Sequence, residues 1–265
     1  KLAAPLAVAC GPSRSGSRGA GDATGRGAGA AGGGGPLAGG VRGAAMNIFR
    51  LCGDMLHVAS IMLLLYKLHK NKSCIGISCR TQEIYAIVFL LRYADLCWSF
   101  ISVYNSIMKS MFIISTFYLV WIMRCQPPVA TTYDREKDKF KYELYLLPGA
   151  AVLGVLTAHE FTLPEIMWTS SIWLESVAIV PQLVLLQQMR EVENLTSDFV
   201  GAMGGYRVFY LVNWIYRYMD DGHIRWVGWI GGIVQTLLYL DFFYYYLRSK
   251  VSGSKLNLSS EQAIV

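Results

Sequence analysis

Seven long apolar runs follow one another along this chain, and they constrain its fold more than any other feature. They cover about 47–66, 82–98, 101–124, 142–159, 164–187, 199–218 and 226–247. Each run approaches the roughly 17–25 residues that cross a bilayer as an α-helix. Strands are excluded, because the backbone of a lipid-exposed segment must satisfy its own hydrogen bonds. The pattern predicts an all-α membrane protein with seven transmembrane helices.

The composition supports this class. Charged residues make up 16% of the chain, against about 25% in an average soluble domain. Much of the net charge of +6 lies in residues 1–45, so nucleic-acid binding has no support. Six cysteines are too few for a disulfide-built secreted domain, and Cys74 and Cys79 are expected to be reduced thiols.

The first 45 residues form a separate segment. Gly and Ala account for 26 of them, and none is aromatic. Such a stretch buries too little apolar surface to offset the entropy of ordering it, so 1–45 is predicted to be disordered or extraneous. A transit peptide is the alternative, but no amphipathic helical pattern supports it. The remaining chain divides into a seven-helix domain, 46–247, and a tail, 248–265.

The distribution of basic residues predicts the topology. Lys and Arg concentrate in the connections after the first, third and fifth runs and in the tail, and this side is expected to be cytoplasmic. The residues concerned are Lys67, Lys70, Lys72, Arg80, Arg124, Arg135, Lys137, Lys139, Lys141, Arg190, Arg248, Lys250 and Lys255. The opposite side has only Lys109 and Arg225. The segment around Met46 is therefore predicted to be lumenal and Val265 cytoplasmic.

Several apolar runs contain charged residues, which are costly at bilayer depth and indicate function. Arg50, Asp54 and His57 share one narrow face of the first helix. Others occur in the second, fifth, sixth and seventh runs: Arg92, Asp95, Glu165, Glu175, Arg207, Arg217 and Asp241. Structural ion pairs between helices are one interpretation. The other is a ligand site, in which four guanidiniums grip an anion with more than one carboxylate.

The same set of residues suits a ligand that also carries a cation. Asp95 and Glu165 are candidates to hold it, and Trp168 offers a cation–π face. Motifs for zinc hydrolysis, nucleophilic catalysis, phosphate binding and dithiol chemistry are absent from the sequence, so no enzyme activity, cofactor or metal is expected. The Gly-Gly pairs at 204–205 and 231–232 are interpreted as helix-packing positions.

Six segments, taken together, closely resemble the KDEL receptor family, the endoplasmic reticulum lumenal protein retaining receptors. They are Asn47-Ile-Phe-Arg-Leu-Cys-Gly-Asp54, Cys74-Ile-Gly-Ile-Ser78, Leu91-Arg-Tyr-Ala-Asp95, Trp173-Leu-Glu-Ser-Val-Ala-Ile-Val-Pro-Gln182, Tyr210-Leu-Val-Asn-Trp-Ile-Tyr-Arg217 and Asp241-Phe-Phe-Tyr244. The resemblance runs from Met46 to about Leu258, and Thr196, Arg225 and Trp226 look more like the plant and algal branch.

This resemblance implies a fold and a function. The fold would be two three-helix bundles plus a linking helix, similar to sugar-transporter and Pro-Gln-loop proteins, with Pro181-Gln182 as the signature. The function would be pH-dependent binding of C-terminal Lys/His-Asp-Glu-Leu signals of escaped lumenal proteins in the Golgi. Coat-protein vesicles would return the complex to the endoplasmic reticulum, where higher pH releases the cargo.

The resemblance also assigns roles to individual residues. Arg92 corresponds to the arginine that takes the peptide's terminal carboxylate. The other ligand-binding positions are Arg50, Arg207 and Arg217 for the acidic side chains, Asp95, Glu165 and Trp168 for the basic one, and Tyr210 and Trp214 for the pocket wall. His57, Glu175 and Tyr206 would form the pH switch. Asp241, Lys250 and Lys255 would serve sorting, the lysines by recruiting coat proteins.

Two other functions remain open from the residues themselves. A small-solute transporter on the same fold would need a pocket that opens alternately to both sides, and four arginines are unusual for a neutral sugar. A seven-helix signalling receptor is the third possibility. It is disfavoured because helix 7 lacks an Asn-Pro-x-x-Tyr motif and Asp134-Arg-Glu136 lies in a loop.

Overall fold

The computed structural model describes residues 48–97, 100, 103–189, 192–221, 226–253 and 256. The low-complexity segment 1–45 and most of the tail lie outside these residues, and so does Lys255. Eight α-helices are described: α1 Ile48–Asn71, α2 Cys79–Arg92, α3 Val103–Cys125, α4 Tyr142–Thr157, α5 Leu163–Val177, α6 Val180–Gln187, α7 Asn194–Asp221 and α8 Trp226–Ser252. Because α5 and α6 follow each other almost directly, the helices correspond to the seven predicted runs.

Length and composition indicate membrane spans for part of this set. In the described part of the chain, four spans are long and apolar enough to cross a bilayer: Ile48–Asn71, Val103–Cys125, Leu163–Gln187 and Trp226–Ser252. The α4 helix is apolar but shorter, with 16 residues. The prediction of an all-α membrane protein is confirmed, although α2, α4 and α7 do not meet the length and hydropathy criterion.

The second helix differs from its predicted bounds. Ser78 caps its N-terminus by accepting a hydrogen bond from the Thr81 N–H, so the helix begins before the apolar run does. It ends at Arg92 after 14 residues, which is about 21 Å of helix. Asp95 lies beyond it in a short 3-10 helix, Ala94–Cys97. The expectation of one continuous helix over 82–98 was therefore wrong, because the α-helix ends at Arg92 and a short 3-10 helix follows it.

Helix packing brings the polar faces inward. The α1 helix packs on α7, α2 packs between α3 and α5, α8 contacts α5 and α7, and α4 packs mainly on α5. The two Gly-Gly pairs lie at these contacts, as predicted from the sequence. A Cβ atom on Gly232 would lie 2.4 Å from the Trp214 ring, and one on Gly204 would lie 2.6 Å from Phe243. Glycine at these positions therefore allows α7 and α8 to approach closely.

The connections that carry most basic residues meet at one end of the bundle. Cys74 donates its N–H to Thr132 Oγ1 at 2.9 Å, which joins the connections after α1 and α3. Val192, which follows α6, donates its N–H to the Leu256 carbonyl at 2.9 Å. Lys67 at the end of α1 also lies 3.0 Å from Glu193 after α6, so the four segments that the charge distribution groups lie together. Burial raises the pKa of the Cys74 thiol. Cys74 and Cys79 are free, as expected, and so are the other three described cysteines.

Gln182 of the Pro-Gln pair ties α6 to the segment before α2 at this end. It is fully buried. Its side-chain oxygen accepts the Ser78 N–H at 2.8 Å, and its side-chain nitrogen donates to the Gly76 carbonyl at 2.8 Å. Its own N–H donates to Thr81 Oγ1 at 3.0 Å. The signature glutamine therefore has a structural role, since it satisfies buried backbone groups of another segment.

Replacing this glutamine is expected to destabilise the fold. Gln182→Ala leaves the buried Ser78 N–H and Gly76 carbonyl without partners, which costs about 1–3 kcal/mol of unfolding free energy. Thermal unfolding of the detergent-solubilised protein measures the loss. The matched control is Gln187→Ala, because Gln187 is exposed on the same helix. Equal stability of the two variants would contradict the role given to Gln182.

Candidate functional site

The Glu175 carboxylate is the centre of the buried polar region. It lies on α5 and accepts hydrogen bonds from helices α2 and α7. Arg92 Nη1 donates to one oxygen, and Arg207 Nη2 lies 3.2 Å from the same atom. Tyr206 donates its hydroxyl to the other oxygen at 3.0 Å. All four side chains are buried, and they are called the Glu175 cluster below.

The two arginines of the cluster have further contacts. Arg92 Nε donates to Ser171 Oγ at 3.1 Å, and Arg207 Nε donates to Gln235 Oε1. The Arg207 guanidinium also lies 5.9 Å from the centre of the Trp214 ring. Arg92 Nη2 is buried and has no hydrogen-bond partner among the described residues. Two guanidiniums thus share one carboxylate, which leaves a positive excess and an unused donor for an anion.

The polar face of α1 lies against α7. Arg50 Nε is 3.9 Å from the Asp54 carboxylate one turn later. The other oxygen of Asp54 accepts a hydrogen bond from the Tyr210 hydroxyl. Gly53 lies beside this contact, and a Cβ at this position would be in ordinary van der Waals contact with the Tyr210 ring at 3.4 Å. Asp54 therefore positions two predicted ligand-binding residues, Arg50 and Tyr210.

His57 lies one turn further along the same face and connects it to the Glu175 cluster. Its ring stacks on Tyr206 with centroids 4.2 Å apart and an angle of 5° between planes. The Phe112 ring lies 4.7 Å away on α3. His57 Nδ1 is buried without a hydrogen-bond partner in the described chain. The structure thus brings together His57, Tyr206 and Glu175, the three residues assigned to a switch.

Tryptophans form a second part of the region. Trp214 on α7 is buried and packs with Trp168, Leu211 and Trp229. Glu165 lies one turn before Trp168 on α5, and Arg217 lies one turn after Trp214 on α7; both are half-buried. Glu165 and Arg217 thus each lie within one turn of a tryptophan of this group.

Asp95 already has a cationic partner within the chain. The Lys109 ammonium lies 2.8 Å and 2.6 Å from its two carboxylate oxygens. Lys109, near the start of α3, is buried. Asp95 keeps part of its surface open, with 25% of its side chain exposed.

The residues assigned to sorting lie elsewhere. Asp241 is exposed on α8. Lys250, in the last turn of α8, lies 2.6 Å from the Asp198 carboxylate and over the Tyr246 ring. Lys255 falls outside the described residues. Neither described residue is part of the Glu175 cluster, so the structure separates them from the proposed pocket.

Sequence reasoning gave no role to several polar side chains that complete the region. They are Asp54, Ser171, Gln235 and Lys109. Ser171 and Gln235 are uncharged and lie on apolar helices, where periodicity alone does not single them out. The spacing of Arg50 and Asp54, four residues apart, was the available signal for Asp54. Within the described ranges, no group of three His, Cys, Asp or Glu residues has metal-binding geometry.

Removing the central charge is expected to destabilise the protein strongly. Glu175→Gln leaves Arg92 and Arg207 buried without a carboxylate, and breaking a buried ion pair from one side costs about 3–5 kcal/mol. Unfolding in detergent measures the difference from the unmodified protein. As a control, Glu143→Gln removes the exposed partner of Arg80, at 2.5 Å, and should cost less than about 1 kcal/mol. If both variants lost a similar amount of unfolding free energy, the Glu175 cluster would contribute no more to stability than an exposed ion pair.

Comparison with known proteins gives a consistent match over most of the chain. A family model described as ER lumen protein retaining receptor matches residues 73–217, a range that includes Arg92, Glu175 and Arg207. The ER lumen protein-retaining receptor of Plasmodium falciparum is 56% identical over 215 residues, which cover 80% of this chain and 97% of that protein.

Relatives from plants and animals match over the same share of the chain. Receptor B of Arabidopsis thaliana, also named ER lumen protein-retaining receptor, is 52% identical over 214 residues, covering 80% of this chain and 99% of the relative. The Drosophila melanogaster protein of that name is 46% identical over 213 residues, with the same coverage.

Proposed function

Since this chain belongs to the family of ER lumen protein retaining receptors, we propose that it binds C-terminal Lys/His-Asp-Glu-Leu signals of escaped lumenal proteins. It binds them in the Golgi and returns them to the endoplasmic reticulum. The family consists of receptors, so the chain is a binding protein and not an enzyme. The observation that supports this signal chemistry best is the pair of buried guanidiniums that share Glu175, with one donor of Arg92 unused.

The ligand's groups match the groups in the region. Arg92 takes the terminal carboxylate through its unused Nη2 donor. The acidic side chains of the signal are received by Arg50, Arg207 and Arg217, with Tyr210 and Trp214 as pocket walls. The basic residue of the signal goes to Asp95, Glu165 and Trp168. When the ligand binds, its carboxylates therefore replace part of the interactions that Glu175 and Asp54 make with arginines within the protein.

Release of the ligand depends on pH in this proposal. His57 is buried beside Tyr206, whose hydroxyl holds Glu175. Protonation of His57 adds a positive charge next to the site and strengthens its attraction for Glu175. Glu175 then gives up part of its interaction with Arg92 and Arg207, which frees donors for the ligand. The complex is stronger in the acidic Golgi and weaker in the endoplasmic reticulum.

The arrangement in the membrane and the partners follow the same proposal. The helices form two three-helix bundles plus a linking helix. The N-terminus faces the lumen of Golgi and endoplasmic reticulum membranes, and the tail faces the cytoplasm. There Lys250 and Lys255 recruit coat proteins, and Asp241 serves transport and not binding. Lipids cover the exposed apolar faces of the helices.

Binding of a labelled peptide tests the function. The purified full chain in detergent is offered a peptide that ends in Lys-Asp-Glu-Leu, either with a free C-terminus or as the amide. The free acid should bind, and the amide should bind far more weakly because it lacks the charge that Arg92 receives. Equal binding of both peptides, or no binding of either, would overturn the proposal. A transporter of neutral solutes would give that second result.

Arg92→Lys is expected to weaken peptide binding by a few kcal/mol. Lysine keeps the charge but loses the planar fork that grips a carboxylate with two bonds, and a badly paired buried charge costs about 1–3 kcal/mol or more. Peptide affinity at acidic pH measures the effect. The control is Arg80→Lys, since Arg80 lies in the first turn of α2, at the other end of the helix from Arg92, and forms a partly exposed ion pair with Glu143. Unchanged affinity for Arg92→Lys and Arg92→Ala would remove this residue from the site.

His57→Ala is expected to flatten the pH dependence of peptide binding. If complex formation takes up one proton at His57, affinity rises as pH falls, by at most about tenfold per pH unit. The same affinity measured between pH 5.5 and 7.5 for both proteins gives the two slopes. A control with His69→Ala is available, because His69 lies at the exposed end of α1. A variant at position 57 that binds well and keeps the full slope would place the sensor elsewhere.

A further inference from the structure

The ion pair between Lys109 and Asp95 occupies a position that the signal also needs. The Lys109 ammonium contacts both carboxylate oxygens of Asp95, at 2.8 Å and 2.6 Å. Lys109 is 3% exposed, and its ammonium lies 5.6 Å from the centre of the Tyr93 ring. This contact with both oxygens, held by burial and an aromatic face, gives Asp95 a fixed internal counter-ion.

Two cations therefore meet at one carboxylate when a basic signal binds. Asp95 has a quarter of its side chain exposed, whereas Lys109 reaches it from the buried side. An incoming ammonium or imidazolium can approach only from the open side. There it meets a carboxylate whose charge is already balanced, so each new contact replaces or weakens one that Lys109 makes.

We propose that Lys109 competes with the basic residue of the signal for Asp95 and thereby limits how strongly the receptor prefers a basic residue there. The inference rests on the proposed function, since it concerns the same site. Lys109 is a specificity-determining residue in this view, although it contacts Asp95 and not the peptide. The Lys109–Asp95 pair stabilises the receptor when the site is empty. The basic residue of the signal therefore adds to the binding free energy only the difference between its own ion pair with Asp95 and the pair that Lys109 makes.

The test compares two peptides that differ in one residue. The full chain in detergent binds a peptide ending in Lys-Asp-Glu-Leu and one ending in Ala-Asp-Glu-Leu, and the ratio of the two affinities measures discrimination. Lys109→Met should raise this ratio about three- to tenfold, within the range that double-mutant cycles give for close charge pairs. The affinity for the alanine peptide should change little.

Four further variants make the result specific. Asp95→Asn should lower the ratio, and adding Lys109→Met to it should cause no further change, because the competition needs the carboxylate. Lys109→Arg should lower the ratio, since a guanidinium grips a carboxylate with two parallel hydrogen bonds. Lys139→Met is the matched control, as Lys139 forms an exposed pair with Glu136, and should leave the ratio unchanged.

The outcomes separate this inference from the proposed function. If the unmodified chain binds neither peptide, the proposed function fails. If it binds both but Lys109→Met leaves the ratio unchanged or lowers it, only the competition is overturned. Should Lys109→Met not fold, Lys109→Arg decides the question: an unchanged or higher ratio with this variant contradicts the competition, and a lower ratio supports it.

Discussion

The rest of the structure depends on one buried carboxylate. Glu175 holds two guanidiniums and a hydroxyl in the buried interior of the helix bundle. A buried charge is tolerated only when partners and hydrogen bonds replace its hydration. Because these partners come from α2 and α7, the electrostatic requirement of Glu175 fixes how three helices approach one another. Packing of apolar side chains then fills the space around this arrangement.

The same requirement explains why the site suits an anion. Among the described contacts of Arg92 and Arg207, Glu175 is the carboxylate, and Gln235 and Ser171 supply only dipoles, so the two arginines carry one positive charge more than their partner neutralises. In the proposed complex, a ligand carboxylate completes the balance without new desolvation of the two guanidiniums, since they are already buried. These charges lose their hydration when the protein folds and not when the ligand binds. Each contact with them therefore contributes more binding free energy than the same contact would at the protein surface.

The sequence predicted the class of the helices and several of the charged residues that turn inward, because hydropathy and helical periodicity determine both. It missed the buried Lys109, and Asp241 of the predicted set is exposed. It did not predict which charges pair. Asp95 appeared as a helical neighbour of Arg92, but the chain tightens after Arg92 and directs Asp95 towards Lys109 on α3. Such pairings depend on where short helices end and on contacts between distant residues. Neutral partners such as Ser171 carry no signal in a single sequence.

The two polar centres of the bundle lie on one span, Leu163–Gln187, and this placement has a mechanical consequence. Gln182 lies seven residues after Glu175, which corresponds to about 10 Å along a helix. Between them the α-helix is interrupted at 178–179, and Pro181 has no N–H to continue the ladder. Gln182 ties α6 to the Ser78 and Gly76 backbone, whereas the Glu175 carboxylate is bound by side chains of the described residues. Side chains rearrange at lower cost than backbone, so the span combines a fixed end with an end that can respond to a ligand.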